Sequence, residues 1–294
     1  MDKNIKNIID AQIEQQIYKP TQRDVVPHSA LLVVDRDGKM DVTHGEGTSI
    51  PRLQQFLTTL QPIKLPEMSV LFLTHDYSDP KHYEDKPNFS ICFGKLRNQR
   101  YITIPNLHLL GGIVDSMFRE VSTHDCGMFA KEKSSIFAGG PNCDHDGVRI
   151  KYGVKGLDPA KHTYLLTNNQ KIPISHQLKH MFTMTIDGHS MCYDRLYWQM
   201  YSYSVPVYVE RNKNIVQLHD ELIKENEHYI ETSVDEWGEK FEYLCSEQGQ
   251  KFCQDIVKNG KAFCDLHFKE GPQLESQRIL SYIFNTISDK QKTL

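Results

Sequence analysis

No apolar run in this chain approaches the roughly 18 residues that a membrane span needs. The first residues, MDKNIKNIIDAQIEQQ, carry charge where a signal peptide needs an apolar core, and the terminal DKQKTL does not match the secretory retention signal. These absences lead us to expect a cytoplasmic protein without a membrane span. Basic excess is missing as well: the formal charge is −4 and the pI about 6.4. A field that would attract nucleic acid is therefore absent, and nucleic acid is not an expected partner. The 7 cysteines never fall in a CxxC spacing, so they read as reduced, mostly buried thiols of a reducing compartment. No HExxH motif, internal repeat, low-complexity tract or Gly/Ser linker occurs.

What remains is a 294-residue chain, long enough for two ordinary domains, whose patterning predicts an α/β fold. Ile5, Ile8, Ile9, Ile13 and Ile17 predict an amphipathic helix ending before Pro20. Apolar runs predict buried strands at 30–34, 69–74, 89–93, 101–104, 133–137 and 161–166, with helices over 49–60, 113–121 and 174–180. Within 181–210 the order is apolar strand, polar turn Asp187-Gly188-His189-Ser190, aromatic helix and second strand. A turn between a strand's carboxyl end and a helix is a common place for a phosphate or nucleotide. From Asn214 to Ile287 the pattern predicts three or four helices, the first marked by Ile215, Leu218 and Leu222, with little strand signal.

Several loops carry candidate chemistry. Asp76 follows the strand at 69–74 and sits at a sheet rim, where it reads either as a functional acid or as a turn residue. Gly139 and Gly140 end the strand at 133–137 and would let a ligand approach the backbone, or simply make a turn. Asp35 with Asp37, and Asp144 with Asp146, are carboxylate pairs that could share a divalent cation or belong to polar turns.

Five of these features occur in an order that resembles glycosyltransferase family 90, the Rumi-type protein O-glucosyltransferases and capsule-associated xylosyltransferases. Asp76-Tyr77 is similar to the acid and aromatic residue that end a strand of the family. Pro87-Asn88-Phe89-Ser90 resembles its Pro-x-Phe-Ser, and Ile136-Phe137-Ala138-Gly139-Gly140 its Phe-Arg-Gly-Ser. Asp187-Gly188-His189-Ser190, Arg195 and Ser204-Val205-Pro206-Val207 match the Asp-Gly, Arg and Ser-x-Val that follow, and His228-Tyr229-Ile230 the next His-Tyr-Ile. Departures are visible too. Ala138 and Gly140 replace the arginine and serine, and Leu and His replace the aromatic residues of a Pro-x-Trp-x-Phe-Trp segment at 104–110.

The resemblance implies two facing Rossmann-like domains of the GT-B type, with a helical C-terminal region and the active site in the cleft. It divides the chain into an acceptor-side domain at 1–125, a donor-binding domain at 126–270 and a C-terminal helix at 271–294 that could pack back on the first domain. It also implies inverting transfer from a UDP-sugar, xylose favoured and glucose next, to a glycan or glycoprotein hydroxyl, with no required metal or other cofactor. Asp76 would be the base. Gly139, Gly140, Arg149, Asp187, Gly188, His189, Ser190 and Arg195 would line the donor site, the arginines facing the diphosphate. Glu210 is a further candidate, for the ribose. The compact form is similar to short soluble members from large DNA viruses. Two alternatives remain open: a metal-dependent GT-A type transferase using an Asp-x-Asp pair, and an inactive sugar-binding or scaffold protein on the same fold.

Overall fold

A computed structural model describes residues 1–16, 27–74, 89–140, 147–166, 172–188 and 194–293. Its elements, in chain order, are α1 (Lys3–Glu14), β1 (Ser29–Val34), β2 (Met40–His44), α2 (Ile50–Leu60), β3 (Met68–Leu73), β4 (Ser90–Cys92), β5 (Lys95–Leu96), β6 (Ile102–Thr103), α3 (Leu107–Leu110), α4 (Ile113–His124), β7 (Glu132–Gly139), α5 (Val148–Val154), β8 (His162–Leu166), α6 (Ile174–Gln177), β9 (His180–Ile186), α7 (Arg195–Tyr201), β10 (Val205–Val209), β11 (Ile215–Val216), β12 (Ile230–Thr232), α8 (Trp237–Cys245), α9 (Glu247–His267) and α10 (Pro272–Thr293). The class is α/β, with parallel strands in two separate sheets. The chain forms two compact units, one of Met1–Gly112, Asn214–Asp220 and Glu270–Leu294, the other of Ile113–Lys213 and Glu221–Lys269.

The first unit holds a mixed sheet in the order β2-β1-β3-β4-β6. Strands β3, β4 and β6 run parallel, whereas β1 is antiparallel to both β2 and β3. The turn from β1 to β2 explains Asp35: its Oδ1 accepts the backbone N–H of Asp37 and of Lys39, each at 2.9 Å. That is the turn chemistry of an aspartate, so this carboxylate is engaged by its own loop. On one face of the sheet, Phe56 of α2 stacks on Phe72 at 4.1 Å between centroids, with Phe93 edge-on to Phe72 at 5.3 Å. Leu31, Leu71, Leu73, Cys92 and Tyr101 form a second cluster. Strand alternation puts Phe72 and Leu71 on opposite faces, so the sheet is covered on both sides.

Glutamine amides finish this sheet where strands are too short. Gln12 of α1 accepts the Thr103 N–H at 2.8 Å, and Gln16 both accepts from Ser90 N at 2.8 Å and donates to Ser90 O at 3.1 Å. Gln291 of α10 does the same for Ser69, at 2.9 and 2.5 Å. Each amide offers the donor and acceptor pair of a peptide group, so backbone groups that lack a strand neighbour are still satisfied.

The second unit holds an all-parallel sheet in the order β8-β7-β9-β10-β12. Every residue of β9 and β10 is buried, as expected of central strands covered on both faces. Phe182 packs against Trp237 and Phe241 of α8, while Thr185, of opposite parity, donates to Gln199 of α7 at 2.6 Å. These helices therefore lie on opposite faces.

Several sequence expectations shift here. The Ile215, Leu218 and Leu222 stripe is not a helix: Ile215–Val216 is β11, and turns follow it. Residue 180 begins β9 instead of closing a helix, which ends at Gln177. Strand β2 had no apolar run to reveal it, because it is an edge strand with mostly exposed residues. Among the described cysteines, Cys92, Cys126, Cys245, Cys253 and Cys264 are free thiols, and burial pushes those of Cys92 and Cys253 up to about 12. No helix among the described residues is long and apolar enough to cross a membrane.

Candidate functional site

Counted along the chain, the strands of the parallel sheet lie in the order 2-1-3-4-5. The chain leaves β7 toward β8 on one side and returns with β9 on the other, so the connections after β7 and β9 diverge. In open α/β sheets, the crevice at the carboxyl ends of such a strand pair is where ligands bind. The structure brings six of the candidate residues to this place: Gly139 ends β7 and Gly140 follows it, Asp187 and Gly188 follow β9, Arg149 lies in the first turn of α5 and Arg195 opens α7.

The two arginines are oriented by strand-end carbonyls. Arg149 donates from Nη1 to Gly140 O at 2.6 Å and from Nη2 to Ile186 O at 3.0 Å. Arg195 donates to Ala138 O and, at 3.4 Å, to Met184 O. These bonds from charged donors to carbonyl oxygens of β7 and β9 and the residue after β7 fix both guanidiniums across the gap between the two strands. Phe137 supports them from below. Its buried ring lies 5.7 Å from the Arg149 guanidinium and 5.2 Å from that of Arg195. A guanidinium has five N–H donors, and the two carbonyl contacts of Arg195 do not use them all. None of Arg195's contacts among the described residues is to a carboxylate.

The positions that depart from the family pattern are used through their backbone. Ala138 and Gly140 supply the carbonyls that hold Arg195 and Arg149. Gly139 has an internal reason to be glycine: a Cβ would lie 2.6 Å from Cζ of Phe137. Its small size thus seats the ring that carries both cations, which is a packing reason separate from ligand approach.

Asp187 is held rather than open. Its Oδ1 accepts from the Tyr208 hydroxyl at 2.5 Å, and its Oδ2 from the Asn212 N–H at 3.1 Å. Arg211 sits beside it, 5.4 and 5.5 Å from the rings of Tyr208 and Tyr229 and donating to the Tyr229 hydroxyl at 2.8 Å. Burial is the main cause that raises the Tyr229 phenol, against the opposing Arg211 charge. Phe137 entered the sequence reading only as part of the Phe-Arg-Gly-Ser-like segment, and Tyr208, Asn212 and Arg211 were not singled out. Only the parallel register, which sets Tyr208 beside Thr185 and so carries it next to Asp187, brings them here.

Glu210, at the end of β10, has a left-handed backbone at φ 48°. Its Oε1 accepts the Val234 N–H at 3.1 Å and faces Lys151 at 3.2 Å. Hydrogen bonds that it donates to Asp235 and then Glu210 hold the Lys151 ammonium above its ordinary value. Helix α7 begins at Arg195, so residues 189–194 separate it from Gly188. Asp76, His189, Ser190, Asp144 and Asp146 lie outside the described residues. Among the described residues no cluster of three His, Cys, Asp or Glu side chains is placed to hold a metal ion.

Comparison of the chain with protein-family models and with curated proteins finds no match to either.

Proposed function

We propose that this chain is an inverting, UDP-sugar-dependent glycosyltransferase related to the Rumi-type and capsule-associated family, with two Rossmann-like domains. The observation that carries the reading is the arginine pair, Arg149 and Arg195, fixed over Phe137 at the carboxyl ends of β7 and β9 in a 2-1-3-4-5 parallel sheet. Two cations held at such a crevice suit a diphosphate, and guanidiniums match phosphate oxygens in geometry as well as charge. In this reading the pair stabilises the departing UDP, and Asp76 takes the proton of the acceptor hydroxyl. Inversion is a single displacement and needs no carboxylate nucleophile. Asp187 would act by fixing the loop after β9 against β10, through Tyr208 and Asn212. Xylose is the favoured sugar, glucose the next, and the acceptor a glycan or glycoprotein.

Three measurements test this. Calorimetry with UDP should show binding, and Arg195→Ala should weaken it about 10- to 100-fold, as expected for a charge-assisted contact. Hydrolysis of a UDP-sugar panel should survive EDTA and vanish in Asp76→Asn, with UDP affinity retained. Chelator-sensitive hydrolysis indifferent to Asp76→Asn would favour a metal-dependent enzyme instead. Sugar binding without any turnover would favour the inactive scaffold, and unchanged UDP affinity in Arg195→Ala would overturn the site.

A further inference from the structure

The parallel-sheet unit has a second recess, of about 550 Å³, lined among others by Phe129, Tyr203, Gln254, Lys258, Lys261 and Asp265. It lies away from the arginine pair. Phe129 shortly precedes β7 and Tyr203 shortly precedes β10, so the recess is at the amino edge of the sheet. The 8 residues of β7 separate that edge from Gly140, a span of roughly 25 Å.

Its two walls differ in chemistry. One is aromatic: Phe129 is 60% exposed and Tyr203 42% exposed, and both residues line the same recess. The other is polar. Gln254, Lys258, Lys261 and Asp265 follow one another along α9 at helical spacing, which places them on one face. The head groups of Gln254, Lys258 and Asp265 make no hydrogen bond or ion pair with the described residues. Lys261 is already engaged, donating to Tyr201 O at 2.8 Å with its ammonium 4.3 Å from the Tyr203 ring and 4.9 Å from that of Tyr201. Tyr203 is anchored from behind as well. Its N–H donates to Asp125 at 2.6 Å, and Asp125 pairs with the buried Lys131 at 2.5 Å. Tyr203 is therefore held in place before anything binds, which lowers the ordering cost of binding.

This mixture of walls selects its occupant. An apolar helix would bury the amide, ammonium and carboxylate of α9 without partners. A polyanion would meet Asp265 and find Lys261 occupied. Lys258, Lys261 and Asp265 together leave a single positive charge, too little to select a polyanion by charge. A pyranose has an apolar C–H face for the rings and hydroxyls for the three free head groups. We propose that this recess binds a neutral oligosaccharide, stacked on Phe129 and Tyr203 and hydrogen-bonded to Gln254, Lys258 and Asp265. Binding here does not depend on the glycosyltransferase reading; in such an enzyme it would hold a part of the acceptor remote from the reacting sugar.

The test titrates the full chain with xylohexaose, cellohexaose, maltohexaose and mannohexaose at up to millimolar concentration, observed by NMR and calorimetry. At least one should bind. Phe129→Ala should weaken that binding by about tenfold, the worth of one good ring contact. Its Tm and its affinity for UDP should stay at wild-type values, because the ring is exposed and distant from the arginines. Gln254→Ala with Asp265→Ala should weaken the same sugar independently. Absence of binding by every hexaose, or binding that survives both variants, overturns the proposal. Loss of UDP binding alone would count against the donor site and leave this one standing.

Discussion

Single side chains decide whether the crevice exists. Gly139→Ala would drive a methyl carbon to 2.6 Å from the Phe137 ring, which sits under Arg149 and Arg195. The strain should cost about 1–3 kcal/mol, as overpacking does, and urea unfolding would measure it. Because the ring carries both cations, the same variant should lose UDP affinity where a remote, equally destabilising change should not. Asp125 is the comparable residue at the amino edge. Its carboxylate takes the buried Lys131 ammonium, which also donates to Leu178 O at 2.5 Å, and the N–H groups of Cys126 and Tyr203. Asp125→Ala leaves that ammonium buried and uncompensated, and stability should fall by about 3–5 kcal/mol in chemical denaturation.

Elements differ in how plainly their residues announce them. Helix α1 is legible: Ile5, Ile9 and Ile13 recur on one face, and Asp2 caps its start by accepting from Asn4 N at 2.7 Å. Strands β9 and β10 are legible as apolar runs. Strand β12 is not, since Ile230-Glu231-Thr232 is too short to show a period and is specified by pairing with Val207–Val209. The one glutamine of α1 is a second case of tertiary specification. Gln12 looks like an ordinary polar interruption of the stripe, yet it satisfies Thr103 N–H at 2.8 Å and its hydroxyl group. Gln12→Leu would extend the apolar stripe and still destabilise, because an unpaired backbone N–H is left behind. A loss of about 1–3 kcal/mol is expected, and thermal unfolding would detect it.

At the scale of the molecule, protons should report on folding through three half-buried histidines. Burial is the leading cause that lowers His162, His180 and His228 below the usual imidazole range. Hydrogen bonding agrees for two of them: His162 Nδ1 accepts from Trp237 Nε1 at 3.3 Å, and His228 Nδ1 from Lys224 N at 3.0 Å. A lowered value means that the unfolded chain binds protons more readily than the folded one. Their contribution to stability is then complete above the unfolded value of about 6.5 and is lost as pH falls through the lower folded values. The urea midpoint should therefore drop on acidification from pH about 7 to 5. Replacing His162 and His228 by glutamine should flatten that slope, and an unchanged slope would remove these residues from the account.

By its own pattern the sequence determined the α/β class, most of the helices and strands and the chain positions of the polar turns, because apolar periodicity and turn chemistry act over a few neighbouring residues. Tertiary structure alone decided that β9 returns beside β7 and not beyond β8, a consequence of long-range parallel pairing that no local pattern encodes. That one choice sets Arg149 and Arg195, far apart in the chain, on the same pair of strand ends and over the same ring. It also turns Asp187, in sequence the first residue of an open polar turn, into a carboxylate tied to Tyr208 and Asn212, since register across the sheet decides which side chains become neighbours.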